Sequence, residues 1–166
     1  MTFFSIKIPV YRGNEEGIVK KYENEELFHG VDGFNGVLHD RKADINLQEE
    51  SAPLGLVKLS QMHKELHVIC FAPLTNIALA MKVDGKFAHR VKGFYAMGGN
   101  SRAEGNVSIT GEFNFLADPE AAYVVLSKTP KPIVLAPWEL CGVDTIIPMV
   151  ISLIFFACFS TPFIFQ

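Results

Sequence analysis

Continuous apolar runs in the middle of the chain predict buried strands. Residues 65–72, ELHVICFA, form one such run, and VKGFYAMGG and KPIVLAP form two more. Between the runs, the apolar residues of PLTNIALAMKV recur at helical spacing, and DPEAAYVVLSK places Asp118 at a helix N-cap before a proline. This order of strand, helix, strand, loop, helix and strand predicts a parallel α/β sheet.

The pattern in the first third of the chain is weaker. SIKIPVYRG predicts a short strand that ends at Gly13, and the three glycines of Phe28–Gly36 predict a loop. Residues 39–50 are polar, and we expect a helix to follow at about Ala52–Lys64.

The end of the chain is almost wholly apolar, because no charged residue follows Asp144. Pro148 and Pro162 leave an uninterrupted stretch shorter than the roughly 20 residues that cross a bilayer as a helix. Three interpretations compete for residues 142–166: a membrane anchor through 146–165, a buried element, or a foreign segment from altered splicing or gene prediction. We favour the third, for a reason given below.

Composition excludes one class of partner and favours one compartment. A chain of 166 residues is long enough for one domain with a core, and its net charge of −3 gives no support for nucleic-acid binding. Cys70, Cys141 and Cys158 make no CxxC pattern, so we expect buried free thiols in a reducing compartment. The start of the chain shows no signal peptide, and a cytoplasmic location is therefore expected.

Polar groups cluster where the predicted strands end. Thr75, Met97 and the Gly98–Asn114 loop all follow a strand, and ligands bind at this edge of parallel sheets. The segment MGGNSRAEGNVSITGEFNFLADPEAA surrounds Glu112 with uncharged hydrogen-bonding side chains. Such side chains suit the hydroxyls of a sugar, and the resemblance described next favours that interpretation over an ordinary polar loop.

These motifs carry a resemblance to a known family. FAPLTNIALA, MGG…GN…EFN…DPEAA and HGVDG resemble segments of the inosine/uridine-preferring nucleoside hydrolases, with weaker matches in IPVYRG and PIVLAPWELC. The resemblance covers about residues 5–141 and implies an open, mostly parallel α/β sheet flanked by helices, here incomplete. It also implies a glycosidase of purine and pyrimidine nucleoside catabolism, which hydrolyses the N-glycosidic bond of ribonucleosides to base and ribose.

The resemblance also assigns roles to individual residues. It implies that the ribose is bound by Met97, Asn106, Glu112 and Asn114. It further implies that the backbone carbonyl of Thr75 is a ligand of Ca²⁺, and that His29 lies near the base. Asn side chains donate and accept, and a carboxylate beside the ring stabilises the positive charge that develops as the bond breaks.

More ordinary interpretations remain open for the same residues. Asn106, Glu112 and Asn114 also suit a polar loop before a helix, and Thr75 suits a helix N-terminal hydroxyl. Met97 is typical of a core side chain at a strand end, and a lone histidine such as His29 is typical of an exposed loop.

The chain departs from the family pattern at both ends of the expected active site. The family's aspartate-rich D-x-D-x-G-x-D-D segment is absent, since residues 1–13 contain no aspartate, and the carboxy-terminal His-Asp pair is not found. We therefore predict a partial nucleoside hydrolase domain at 1–141, a foreign tail at 142–166, no catalytic residue and doubtful Ca²⁺ binding.

Three hypotheses about function follow from this departure. The chain is a nucleosidase, a catalytically impaired partial form of one, or a membrane-tethered interaction protein. The second is favoured and the third is the least favoured. Relatives commonly form dimers or tetramers, so a homo-oligomer is also an option.

Overall fold

The structure is a computed structural model that describes residues 8–21, 46–141 and 163–165. In chain order its elements are β1 (Pro9–Arg12), β2 (Asn46–Ser51), α1 (Ala52–Met62), β3 (His67–Cys70), α2 (Thr75–Val83), α3 (Phe87–Arg90), β4 (Gly93–Met97), α4 (Phe113–Ala117), α5 (Pro119–Lys128), β5 (Val134–Ala136), α6 (Trp138–Cys141) and β6 (Phe163–Phe165).

The main sheet has four parallel strands in the order β5-β4-β3-β6. In register, His67 of β3 lies opposite Gly93 of β4, and Tyr95 of β4 lies opposite Val134 of β5. The predicted parallel α/β fold is therefore confirmed. All three predicted strands of the second half are present, and their carboxyl ends meet at one edge of the sheet.

Apolar residues of the sheet and of four helices, α1, α2, α3 and α5, form the core. Val68 on β3 is completely buried, as are Ile77 on α2, Phe87 on α3 and Val125 on α5. Each such side chain contributes about 1.5–3 kcal/mol relative to an exposed one. Helices α2 and α5 pack against each other, and their apolar residues, which recur at helical spacing, share one buried cluster with residues of β3 and β4.

The predicted helices are confirmed close to their expected bounds. Helix α1 ends at Met62 and α2 ends at Val83 before Gly85. Helix α5 begins with Pro119, and the Asp118 carboxylate accepts a hydrogen bond from the N–H of Ala121, as a cap does.

Several short elements were not predicted. Strand β2 has the polar sequence NLQEES and pairs with β1 in a separate two-stranded parallel sheet, where its side chains are exposed or partly exposed. Its polar sequence therefore carries no strand pattern. Helices α3, α4 and α6 are four or five residues long, too short for an apolar period to show.

Part of the apolar tail is a strand of the main sheet. Strand β6 pairs in parallel with β3, with Phe163 opposite His67. Residues 142–162 and the predicted loop Phe28–Gly36 lie outside the described residues, so the domain boundary at residue 141 stays a prediction. Within the described residues, no helix is both long enough and apolar enough to cross a membrane.

The cysteines correspond only partly to the expected buried thiols. Cys70 on β3 is a buried free thiol, whereas Cys141 is a free thiol that is only partly buried. Cys158 lies outside the described residues. Burial raises the pKa of the Cys70 thiol to about 12.

Candidate functional site

Three connections leave the main sheet at its carboxyl edge. Helix α2 begins five residues after β3 with Thr75, the loop Gly98–Glu112 follows β4, and α6 follows β5. The predicted convergence of Thr75, Met97 and the loop on one edge is therefore present. At this edge, side chains and backbone amides of the three connections form hydrogen bonds with one another.

Glu112 is the most deeply placed carboxylate of the loop, with 2% of its surface exposed. Its Oε2 accepts from the N–H of Gly99 at 2.7 Å and of Phe115 at 3.1 Å, and its Oε1 accepts from the N–H of Asn114 at 2.9 Å. Two of these bonds cap α4, and the third fixes the first turn of the loop. The negative charge is thus stabilised by backbone N–H groups.

Two glycines make the approach to Glu112 possible. A Cβ on Gly98 would lie 2.5 Å from the ring of Phe115, closer than atoms can approach. Gly99 has a φ of 68°, in the left-handed region that residues with a Cβ disfavour. The Gly-Gly pair after β4 therefore lets the chain turn sharply enough to present an amide to Glu112.

Asn114 connects the ends of two strands. Its Nδ2 donates to the carbonyl oxygens of Met97 at 3.1 Å and Phe71 at 3.3 Å, and lies 3.2 Å from the Met97 sulfur. Asn114 is buried, with 6% exposed. Since its amide donors point at the strand ends, its Oδ1 is the atom left for a ligand; within the described residues no hydrogen bond to Oδ1 is formed.

Asn106 lies beside the same short helix. Its Oδ1 accepts a hydrogen bond of 2.9 Å from the N–H of Phe113, between Glu112 and Asn114. The loop therefore gathers Met97, Asn106, Glu112 and Asn114 around the start of α4. Asn106 can still donate through Nδ2, Asn114 can accept through Oδ1, and Glu112 Oε1 retains one acceptor position.

Thr75 and Asp118 form a second, buried polar contact. The Thr75 hydroxyl donates to Asp118 Oδ2 at 2.6 Å, and both residues are 1% exposed. The same Oδ2 accepts from the N–H of Ile18 at 2.9 Å. Sequence reasoning gave Asp118 the role of a helix cap alone, but this carboxylate also joins α2 and the 8–21 segment to α5.

The described residues do not by themselves fit a Ca²⁺ site. Ca²⁺ takes six to eight oxygen ligands, and within 8–21, 46–141 and 163–165 no group of three or more His, Cys, Asp or Glu residues converges. Asp118, the acidic side chain in contact with Thr75, gives its oxygens to N–H and O–H donors. Asp32, Asp40, Asp44 and His29 lie outside the described residues.

Glu112 also lines a cleft of about 540 Å³. Its walls include the Gly98-Gly99 turn, Phe115, Leu135 and Pro137. Of the five predicted site residues that the structure describes, Glu112 alone lines it. The Glu112 carboxylate thus belongs both to the polar groups at the strand ends and to the wall of this mainly apolar cleft.

Sequence reasoning missed Glu139, the second residue of α6. Its carboxylate accepts from the N–H of Ser101, at 2.9 Å and 3.1 Å to its two oxygens, and from the N–H of Arg102 at 2.7 Å. Burial acts to raise the pKa of Glu139, but hydrogen bonds from the N–H groups of Glu139, Arg102 and Ser101 outweigh it and lower the pKa. The sequence feature that could have indicated Glu139 is its position just after the predicted strand KPIVLAP.

Comparison with known proteins relates the chain to a family. The family model described as inosine-uridine preferring nucleoside hydrolase matches residues 1–153. "Probable uridine nucleosidase 2" of Oryza sativa subsp. japonica is 38% identical over 123 residues, which are 73% of this chain and 36% of that protein. The inosine-uridine preferring nucleoside hydrolase of Crithidia fasciculata is 30% identical over 124 residues, 74% of this chain and 39% of that protein.

Solved structures agree with these relatives. An inosine-guanosine nucleoside hydrolase superposes with a TM-score of 0.74 at 28% identity, over 81% of this chain and 44% of that one. The plant nucleoside hydrolase PpNRh1 gives a TM-score of 0.69, also at 28% identity, over 80% and 42% of the two chains. The chain therefore spans less than half the length of these proteins.

Proposed function

We propose a function from one premise: the chain belongs to the inosine-uridine preferring nucleoside hydrolase family. The proposed function is to bind the ribose of a ribonucleoside at the carboxyl edge of the sheet. In the whole protein, we propose that this binding serves hydrolysis of the N-glycosidic bond to base and ribose. The names of the relatives, uridine nucleosidase and inosine-uridine preferring nucleoside hydrolase, support a purine or pyrimidine ribonucleoside as substrate.

One observation carries the proposal. Asn106, Glu112 and Asn114 are held around the first turn of α4 by hydrogen bonds to backbone groups, and each keeps hydrogen-bonding capacity. Together they offer a donor from Asn106 and acceptors from Glu112 and Asn114. A ribose hydroxyl both donates and accepts, so this mixed set suits a sugar better than it suits an ion.

The same geometry supports a role for Glu112 in catalysis by the whole protein. Cleavage of a ribosyl C–N bond places positive charge on the sugar ring in the transition state. A buried carboxylate whose orientation is fixed by three N–H groups stabilises that charge without having to reorganise. Met97, whose carbonyl and sulfur both contact Asn114, would line the sugar pocket.

For the 166-residue chain itself we propose ribose binding with impaired hydrolysis and weak Ca²⁺ binding. The sequence lacks the aspartate-rich segment expected of the family, and the described residues offer no cluster of carboxylates beside Thr75. Calorimetric titration with CaCl₂ tests this; a dissociation constant in the micromolar range would contradict it. The cytoplasmic location and the oligomeric state stay predictions.

The ribose site is tested by removing one donor. Asn106→Asp keeps an oxygen to accept from the N–H of Phe113, but it replaces the Nδ2 donor with an acceptor and adds a negative charge at neutral pH, which the control below shares. Loss of one hydrogen bond to the sugar weakens ribonucleoside binding by about threefold to tenfold. Uridine and inosine are titrated by calorimetry, with the 2′-deoxy compounds as a measure of ribose specificity.

The chain offers a matched control for this substitution. Asn46 on β2 also accepts through Oδ1, from Gln48 Nε2 at 3.1 Å, and lies in the separate two-stranded sheet. Asn46→Asp therefore makes the same chemical change away from the site and should leave ribonucleoside affinity unchanged. If neither variant alters the affinity, Asn106 does not contact the sugar; if the unmodified chain binds no ribonucleoside, the proposed function is wrong.

A further inference from the structure

The loop that follows β4 is held on the side that faces β5. The N–H of Gly98 donates to the carbonyl of Ala136 at 3.1 Å, and the N–H of Trp138 donates to the carbonyl of Gly99 at 2.9 Å. These bonds continue the pairing of β4 with β5 beyond the ends of both strands. The start of the loop is therefore a continuation of the sheet.

Glu139 extends this attachment by two more residues. Its carboxylate oxygens accept from the consecutive N–H groups of Ser101 and Arg102, at distances of 2.7–3.1 Å. The side chains of Ser101 and Arg102 are exposed, so without Glu139 these amides would face water. The Glu139 side chain thus connects the loop to α6, although Ser101 and Glu139 are 38 positions apart in the sequence.

The backbone after this contact needs such support. Ala103, which directly follows Arg102, has a φ of 58°, in the left-handed region that a residue with a Cβ disfavours. Backbone in this region persists only where surrounding contacts fix it. Glu139 holds the two residues immediately before Ala103, and Asn106 lies three residues after it.

We infer that Glu139 is a positioning residue, which fixes residues 99–103 so that the loop presents Asn106 to a ribose. The inference rests on the proposed function for the identity of the ligand. The attachment of the loop by Glu139 can be measured without any ligand. Glu139 itself does not touch the sugar; it acts through the backbone of Ser101 and Arg102.

The experiment compares Glu139→Ala and Glu139→Gln with the unmodified chain. Amide hydrogen exchange, followed by NMR without ligand, should quicken at Ser101 and Arg102 by about tenfold in the alanine variant. Glutamine keeps one oxygen acceptor, so its exchange rates should lie between the two. Calorimetry should show the dissociation constant for uridine rising about threefold to tenfold in Glu139→Ala, with partial recovery in Glu139→Gln.

A matched control separates positioning from general stability. Glu104 is an exposed glutamate of the same loop, and Glu104→Ala should change neither the exchange rates nor the affinity. Amides of β4, such as Ala96, should exchange as slowly in Glu139→Ala as in the unmodified chain. If they quicken together with Ser101, Glu139 serves stability in general and the inference is overturned.

The remaining outcomes are also decisive. Unchanged exchange at Ser101 and Arg102 in Glu139→Ala overturns the inference whatever the ligand does. Faster exchange with unchanged uridine affinity overturns the link to ribose. If the unmodified chain binds neither uridine nor inosine, the proposed function fails and the link to ribose fails with it. The exchange data then decide separately whether Glu139 holds the loop.

Discussion

Replacing Glu112 with alanine should destabilise the fold before it affects any ligand. The substitution removes the acceptor of three backbone N–H groups, of which those of Asn114 and Phe115 belong to the first turn of α4. Loss of such an N-cap costs about 0.5–2 kcal/mol. The N–H of Gly99 loses its partner as well, at a cost of about 1–3 kcal/mol. Together the free energy of unfolding should fall by about 1.5–5 kcal/mol.

Urea denaturation followed by circular dichroism measures this loss. With a slope of about 2 kcal/mol per molar urea, in the middle of the range for small proteins, the midpoint should fall by about 0.8–2.5 M. Glu112→Gln keeps the shape and one oxygen acceptor, so its midpoint should lie between those of alanine and the unmodified chain. Glu104→Ala, at an exposed site in the same loop, should stay within about 0.5 kcal/mol of the unmodified chain.

A loss below about 0.5 kcal/mol in Glu112→Ala would refute the reasoning, because the three hydrogen bonds would then contribute nothing net. The result also decides how activity data are interpreted. If alanine destabilises as expected, loss of binding in Glu112→Ala does not show contact with the sugar. Glu112→Gln, compared at a temperature where both proteins are folded, is the better probe.

Three further predictions concern other buried or paired groups. Asp118→Ala should lower the free energy of unfolding, measured in urea, by about 2–4 kcal/mol. This loss should exceed that of Thr75→Val, because Asp118 accepts three hydrogen bonds and the Thr75 hydroxyl donates only one of them. Equal losses in the two variants would contradict this. Because burial raises the pKa of Cys70 to about 12, iodoacetamide at pH 8 should leave Cys70 unmodified in the folded chain and alkylate it in urea, as mass spectrometry of its peptide would show. The hydrogen bond from Arg90 lowers the pKa of Asp84. The stabilisation of the fold by this ion pair should therefore be complete above about pH 4 and lost as the pH falls through the lowered pKa. Arg90→Gln should raise the pKa of Asp84 in an NMR titration, and an unchanged pKa would refute the pairing.

The main sheet was predictable because buried strands have recognisable runs of apolar residues in the sequence. Val68, Ile69 and Cys70 of β3 are buried on both faces, whereas β4 buries Phe94 and Ala96 on one face and exposes Tyr95 on the other, but the apolar runs of both strands are long enough to recognise. Strand β2 has no such apolar run, because its six residues are exposed or only partly buried in a two-stranded sheet. Its pairing with β1 depends on where the rest of the chain holds the two segments.

Local motifs indicated the candidate site residues, which stay predictions, but they did not reveal the contacts. The run EFN before DPEAA indicated Glu112 and Asn114, but the cap that Glu112 forms on α4 was not predicted, because a helix of five residues is too short for an apolar period to show. The contact of Glu139 with Ser101 joins residues 38 positions apart and exists because β4 and β5 are neighbours. The bond of Thr75 with Asp118 likewise depends on the packing of α2 against α5.

The three carboxylates described at this edge all face peptide dipoles. Glu112, Asp118 and Glu139 accept hydrogen bonds from backbone N–H groups, and Asp118 accepts one from a hydroxyl as well. A cation bound through the occupied positions of these oxygens would displace donors that hold α4, α5 and the loop in place. We therefore expect these described contacts of the loop to persist without a metal. It follows that a chelator should leave the ribose affinity of the 166-residue chain unchanged, and a loss of binding on chelation would show that the loop is held by an ion instead.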